Sequence, residues 1–333
     1  MNILADFHHD GLWKSLEFLF EKRLGHNLYH PVGLEWFPKY WGIGEPYGDL
    51  GHLTAGQYLG LKGDPDENGI YHFDDMKGIT LEKFKEMPID IVIASVPQNI
   101  KPYKELVAQY HPEAKFVFQM GNMFNEVLNN LHEIPNLLSS TIKFPVPQTC
   151  NAVFYHQEAD SNIFKPQGKK PNKDIVSFIN CLPQTGLVGL YMQLKQSLPE
   201  YNFKMYGASC DDGIIGTTQE IANIMNSSYF GIHEKYLGDG MGHIIHNWFA
   251  CGKPVIVNYE TYKNQLAGEL LIPDETCFSC DNDSDVPQVV NKIRNLSPLK
   301  YEWMCQRAIE IFKEVVNYDK EEIEIREFLD KLH

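Results

Sequence analysis

Short apolar runs bounded by glycine, proline and asparagine recur along this chain, separated by stretches whose apolar residues fall at three- and four-residue spacing. The run 2–7 (NILADF) predicts a buried strand. Leu12 to Leu24 predicts a helix on Leu12, Leu16, Phe18, Leu19 and Leu24, ended by Gly25, and His26 to Val32 a second strand. Ile89 to Ala94 is an almost uninterrupted apolar strand. A helix over about 102–110 leads from it to the strand Lys115 to Gln119, closed by Gly121 and Asn122. Continuous apolar strands alternating with helices are the pattern of a parallel sheet covered on both faces.

The segment 165–174 (KPQGKKPNKD) breaks this rhythm with a polar, basic, Pro/Gly-containing linker. Beyond it the alternation restarts: strand 174–180, helix 186–198, strand 202–206, helix 218–226, strand 229–233, helix 243–251, strand 253–258. Residues 301–333 read as two helical segments with a solvated charge run. The expected fold is therefore α/β, two Rossmann-like domains facing a central cleft. The N-terminal domain would be 1–164 and the C-terminal domain 165–333, with the last helix placed to pack back on the N-terminal domain.

Composition narrows the function classes. The chain has 333 residues, enough for two cores, and a formal charge of −15 argues against general affinity for nucleic acid or anionic membrane. No stretch of about 18 apolar residues exists and the N-terminus lacks a basic leader, so a cytoplasmic location is expected. Seven scattered cysteines fit reduced thiols better than a disulfide framework. Cys277 and Cys280 form a lone C-x-x-C without the second pair a zinc site needs.

The densest candidate chemistry lies at Gly238-Asp239-Gly240-Met241-Gly242-His243, followed by a helix through Asn247 and by Ala250-Cys251-Gly252-Lys253-Pro254-Val255-Ile256. Glycines at alternate positions let backbone N–H groups approach a ligand, and the helix that follows turns its positive end toward an anion. Ordinary turn glycines in a βαβ connection are the other reading.

The second half resembles the GT-B glycosyltransferases, in particular the donor domain of the retaining family-four and family-one type. That branch carries an acidic residue, a Gly-x-Gly loop, a second acidic residue eight positions after the first, and then Ala-x-Gly-x-Pro-Val. Asp239 holds the first acidic position and Asn247 the second, ahead of Ala250 to Val255. The resemblance implies a carboxylate beside the donor sugar at Asp239 and a ribose contact at Asn247. Ile179 to Gly186 matches the strand-end loop where an Arg and a Lys clamp the donor diphosphate; this chain has Asn180 and Thr185 there, followed by Gly186. Glu234 is a candidate donor-sugar contact and Lys235 a candidate substitute cation, weighed against a solvated loop lysine.

In the first half, His8, His9 and Asp10 follow the first strand. A His–Asp neighbourhood can supply a general base for an acceptor hydroxyl, while Asp10 is equally placed to cap the helix at Leu12. The catalytic set is thus Asp239, His9 and Asp10. His8, Ser95, Gln98 and Asn122 are acceptor-side candidates, with Asn99 and Gln119 at the same strand ends. Asp64 to Gly69 with Asp75 mimics a calcium loop, yet Asp75 replaces the bidentate Glu and Pro65 sits at position two, so a surface turn is expected. The resemblance implies metal-independent, retaining transfer from a nucleotide sugar, UDP-linked by default, with no other cofactor. The acceptor would be a saccharide, a lipid-linked sugar or a hydroxylated DNA base, the last aided by Lys165, Lys169, Lys170 and Lys173. A sugar-nucleotide 2-epimerase and a non-catalytic nucleotide-sugar binder remain alternatives.

Overall fold

The apolar stretch Asn2–Ala5 forms β1, the centre of a sheet, in a computed structural model. It describes residues 1–6, 10–32, 36, 64–73, 76–121, 125–141, 145–180, 182–184, 188–235 and 242–333. The first sheet also contains β2 (Asn27–Pro31), β3 (Ile70–Phe73), β4 (Met76–Ile79), β5 (Ile91–Ala94), β6 (Lys115–Met120), β7 (Asn136–Ser139) and β8 (Asn151–Phe154). Their order is β3-β4-β2-β1-β5-β6-β7-β8. Every pairing is parallel except β3 with β4. Strand β1 pairs β2 on one side and β5 on the other, with Ile3 opposite Leu28 and Leu4 opposite Val92. The order reverses there, and in open α/β sheets the carboxyl ends at such a switch carry the ligand site.

The helix after β1 departs from the simple expectation. It is α-helical over Asp10–Leu16 and then widens to a π-helical segment, Glu17–Arg23, in which Leu24 N donates to Leu19 O at 3.0 Å. Leu12, Leu16, Phe20 and Leu24 are all buried and recur every four residues, longer than the α-helical 3.6, so the wider turns keep them on one face. Strands β3, β4, β7 and β8 were not expected; each has four residues and includes polar positions such as Asn136 and Asn151, which blur the apolar run.

Residues Met1–Glu158 and Tyr318–His333 form one unit, and Ala159–Asn317 the other. Within the first, the helix Tyr318–Asp330 packs against β8. Its Ile325 and Phe328 join a core with Leu12, Trp13, Leu16 and Tyr155. Glu321 accepts from His156 N at 2.9 Å and meets its Nδ1 at 2.6 Å.

The second unit holds an all-parallel sheet of β9 (Asp174–Ser177), β10 (Asn202–Met205), β11 (Phe230–His233), β12 (Val255–Val257) and β13 (Cys277–Ser279), in the order β10-β9-β11-β12-β13. Here β9 and β11 flank the switch. Residues 165–173 run along the helix Thr218–Ser227: Gln167 N donates to Asn226 Oδ1 at 2.8 Å and Asn172 N to Ser227 O at 2.8 Å. No helix among the described residues is long and apolar enough to cross a membrane. The six described cysteines are free thiols.

Candidate functional site

Two strand ends in the second unit build the candidate site. After β9, Asn180 Oδ1 accepts from Ala208 N at 3.0 Å, tying the end of β9 to the loop that follows β10. The close approach requires Gly207, whose φ is +141° and whose added Cβ would lie 2.7 Å from Asn180 Oδ1. Asn180 thus spends its carbonyl oxygen on the loop.

After β11 come Glu234 and Lys235. Asn258, at the end of β12, accepts from Lys235 N at 3.2 Å and donates from Nδ2 to Lys235 O, so one side chain grips this peptide from both sides. Glu234 is 2% exposed, and among the described residues neither of its carboxyl oxygens has a hydrogen-bond partner. Burial, with Asp281 adding like charge, pushes its carboxyl up to about 8.

The helix His243–Ala250 starts behind Gly242, which adopts φ +64°; a Cβ there would meet Ala267 Cβ at 3.0 Å, so only glycine suits both the backbone and the space. Ile245 N donates to Gly242 O at 2.7 Å. The helix begins beyond the carboxyl end of β11 and presents its positive end there. Asn247, on its second turn, is buried, and its Oδ1 has no hydrogen-bond partner among the described residues. Trp248 packs on Gly231 of β11, where a Cβ would come within 2.4 Å of the indole. Gly252, at φ +68°, ends the helix.

Asp281 is a neighbour that sequence reasoning missed. It follows β13, accepts from Glu260 N at 2.7 Å and from Ser279 Oγ at 2.5 Å, and so stands among the groups around Glu234. Asp239, Gly238, Gly240, Met241, Thr185 and Gly186 lie outside the described residues, as do His8, His9 and Asn122. His243 is the first residue of its helix.

In the first unit, the strand ends of β1 and β5 meet at Asp6, also missed in the sequence. Asp6 accepts from Ser95 N and, at 2.5 Å, from Asn99 Nδ2. Burial outweighs these hydrogen bonds and pushes its carboxyl up to about 6. The signal that could have found it is a lone carboxylate closing an apolar strand, NILAD. Ser95 is fully buried, whereas Gln98 is exposed on the turn Pro97–Asn99. Gln119 is buried and turned inward, donating to Ser140 Oγ at 3.2 Å and Tyr155 Oη at 3.3 Å. The helix expected from Leu12 begins at Asp10. Asp66, in the calcium-like loop, accepts from Asn68 N at 2.8 Å and Ile70 N at 2.9 Å, which makes it a turn former.

No protein-family model and no curated protein matches this chain. Solved structures do match over nearly its whole length. Anabaena Alr3699/HepE in complex with UDP-glucose is 13% identical, covers 100% of both chains and has a TM-score of 0.65. Sucrose-phosphate synthase from Thermosynechococcus elongatus is 11% identical over 99% of this chain and 98% of its own, with a TM-score of 0.65. An alpha-glucosyltransferase in complex with UDP is 11% identical over 99% and 100%, with a TM-score of 0.62. The fold is that of the GT-B glycosyltransferases, with two Rossmann-like units in one chain.

Proposed function

We propose that this protein is a glycosyltransferase that moves a sugar from a nucleotide-sugar donor, UDP-linked, to a hydroxyl acceptor. The observation that carries this reading is the full-length fold similarity to HepE holding UDP-glucose, joined to buried polar atoms without a hydrogen-bond partner among the described residues: both carboxyl oxygens of Glu234 after β11, and Oδ1 of Asn247 on the helix that follows. Orphaned buried polar groups are costly, and a bound ligand is a common reason for keeping them.

In this reading the second unit holds the donor. The helix His243–Ala250 and the glycines 238–242 offer backbone N–H groups to the diphosphate, Asn247 meets the ribose, and Asp239 lies beside the sugar. Stabilisation of the leaving diphosphate then comes from oriented dipoles and side chains, without a metal ion. The first unit takes the acceptor near Ser95, Gln98, His8, His9 and Asn122. Transfer is retaining, as the likeness of the Asp239–Val255 motif to the retaining branch suggests. A saccharide or lipid-linked acceptor fits the acidic chain better than a hydroxylated DNA base.

A thermal-shift screen against UDP-, GDP-, ADP- and CMP-sugars, with and without EDTA, tests the donor assignment. The UDP-sugars should raise the melting temperature, chelator or not, and Asp239→Ala should abolish transfer without unfolding the protein. No shift with any sugar nucleotide would sink the reading, and so would full activity of Asp239→Ala. An epimer formed from the donor alone would replace it with a 2-epimerase.

A further inference from the structure

The donor reading leaves one problem, because the strand-end loop has Asn180 and Thr185 where the resembling enzymes place a diphosphate-binding Arg and Lys. Glu234 deepens the problem. It follows β11 at the switch point, immediately before the segment that leads to the helix His243–Ala250. A carboxylate ionised there would stand as a bare negative charge where a diphosphate has to approach. At 2% exposure water cannot solvate it, and among the described residues no donor reaches either oxygen.

The charge seen to act on Glu234 has the same sign. Asp281 acts on Glu234, and Cys280 lies close enough to feel it, with Asp283 and Asp285 on the same stretch. His233 and Lys235 flank it in sequence, and the Lys235 peptide is gripped by Asn258. The environment therefore favours the neutral acid, which carries one O–H donor that an ionised carboxylate lacks.

We propose that Glu234 binds the nucleotide sugar as a neutral carboxylic acid, donating its O–H to an anionic oxygen of the diphosphate in place of a missing basic residue. The inference rests on the donor reading above. It makes diphosphate binding proton-linked: where free Glu234 is ionised, binding must first return the proton. With the free group held up at about 8, the apparent Kd for UDP rises as pH passes that value, approaching about tenfold per pH unit.

Isothermal titration of UDP into the full chain between pH 7 and 9, in buffers of different ionisation enthalpy, tests it. The terminal phosphate, with its second pKa about 6, is fully ionised throughout that range. Wild type should weaken with rising pH and take up close to one proton per UDP at pH 9. Glu234→Gln, whose amide still donates, should bind UDP with a Kd that stays within threefold of its own pH 7 value and without proton uptake. Uridine should show no such pH dependence with either protein. A flat wild-type profile for UDP, an equal slope in Glu234→Gln, or the same slope with uridine would each overturn the inference while leaving the donor reading intact. Absence of UDP binding to wild type at every pH would overturn both.

Discussion

Asn258 holds the peptide of Lys235 at both ends, accepting from its N–H at 3.2 Å and donating to its carbonyl, while its Nδ2 also reaches Thr261 Oγ1 at 2.9 Å. One amide side chain thus fixes the exit of β11 against the exit of β12. Replacing it by Ala removes these part-buried hydrogen bonds, a loss of about 1–3 kcal/mol. Asn258→Ala should lower the urea midpoint and weaken UDP binding together. Unchanged UDP affinity would separate this clamp from the donor site.

The indole of Trp248 occupies the space above Gly231 that a side chain would fill, with Cε2 2.4 Å from the position of a Cβ. Gly231→Ala must push the helix His243–Ala250 away from β11, at a cost of about 1–3 kcal/mol or more. Denaturation curves for Gly231→Ala and for Gly231→Ala with Trp248→Phe check it, the smaller ring recovering part of the loss.

Asn247 is buried, and among the described residues its Oδ1 has no partner. If it meets the ribose of the donor, Asn247→Ala should weaken UDP by about tenfold, roughly 1.4 kcal/mol, with little change in the denaturation midpoint. Equal affinity in titration calorimetry would remove Asn247 from the site.

Asp6 holds its proton more tightly when folded, its carboxyl lying at about 6 against an ordinary 3.8. A raised carboxyl favours the folded state most below the unfolded value, and that advantage is lost as pH rises through the folded one. The stability of wild type relative to Asp6→Asn should therefore fall by up to about 3 kcal/mol between pH ~4 and ~7. Urea titrations at four pH values measure the difference. Asp6→Asn also sets an amide against Asn99, a constant offset that leaves the slope unaffected.

Phe328 is 4% exposed and shares a core with Leu12, Trp13 and Tyr155. Phe328→Ala should cost about 3–5 kcal/mol. The loss is to be read from the unfolding of the first unit, with tryptophan fluorescence reporting through Trp13.

Local pattern carried the alternation of strands and helices, because burial of a parallel strand on both faces demands an unbroken apolar run such as Ile91–Ala94. It also marked the glycines: Gly242 and Gly252 both adopt positive φ at the two ends of one helix, a backbone requirement written in a single residue. The strands with polar positions, β3, β4, β7 and β8, escaped it, as did the π-helical turn, whose four-residue spacing imitates an α-helix.

The site residues divide along the same line. Glu234 and Asn247 stand out in the sequence as candidates from their place around a glycine-rich turn. That Glu234 is sealed from water beside Asp281, and that Asp6 meets Ser95 and Asn99 across 89 and 93 residues, was decided by which strands became neighbours. The amino-acid sequence by itself determined the elements, since backbone preference and apolar periodicity act over a few residues. Only the tertiary structure decided which carboxyls lose their water. Desolvation and charge pairing depend on segments brought together from distant parts of the chain.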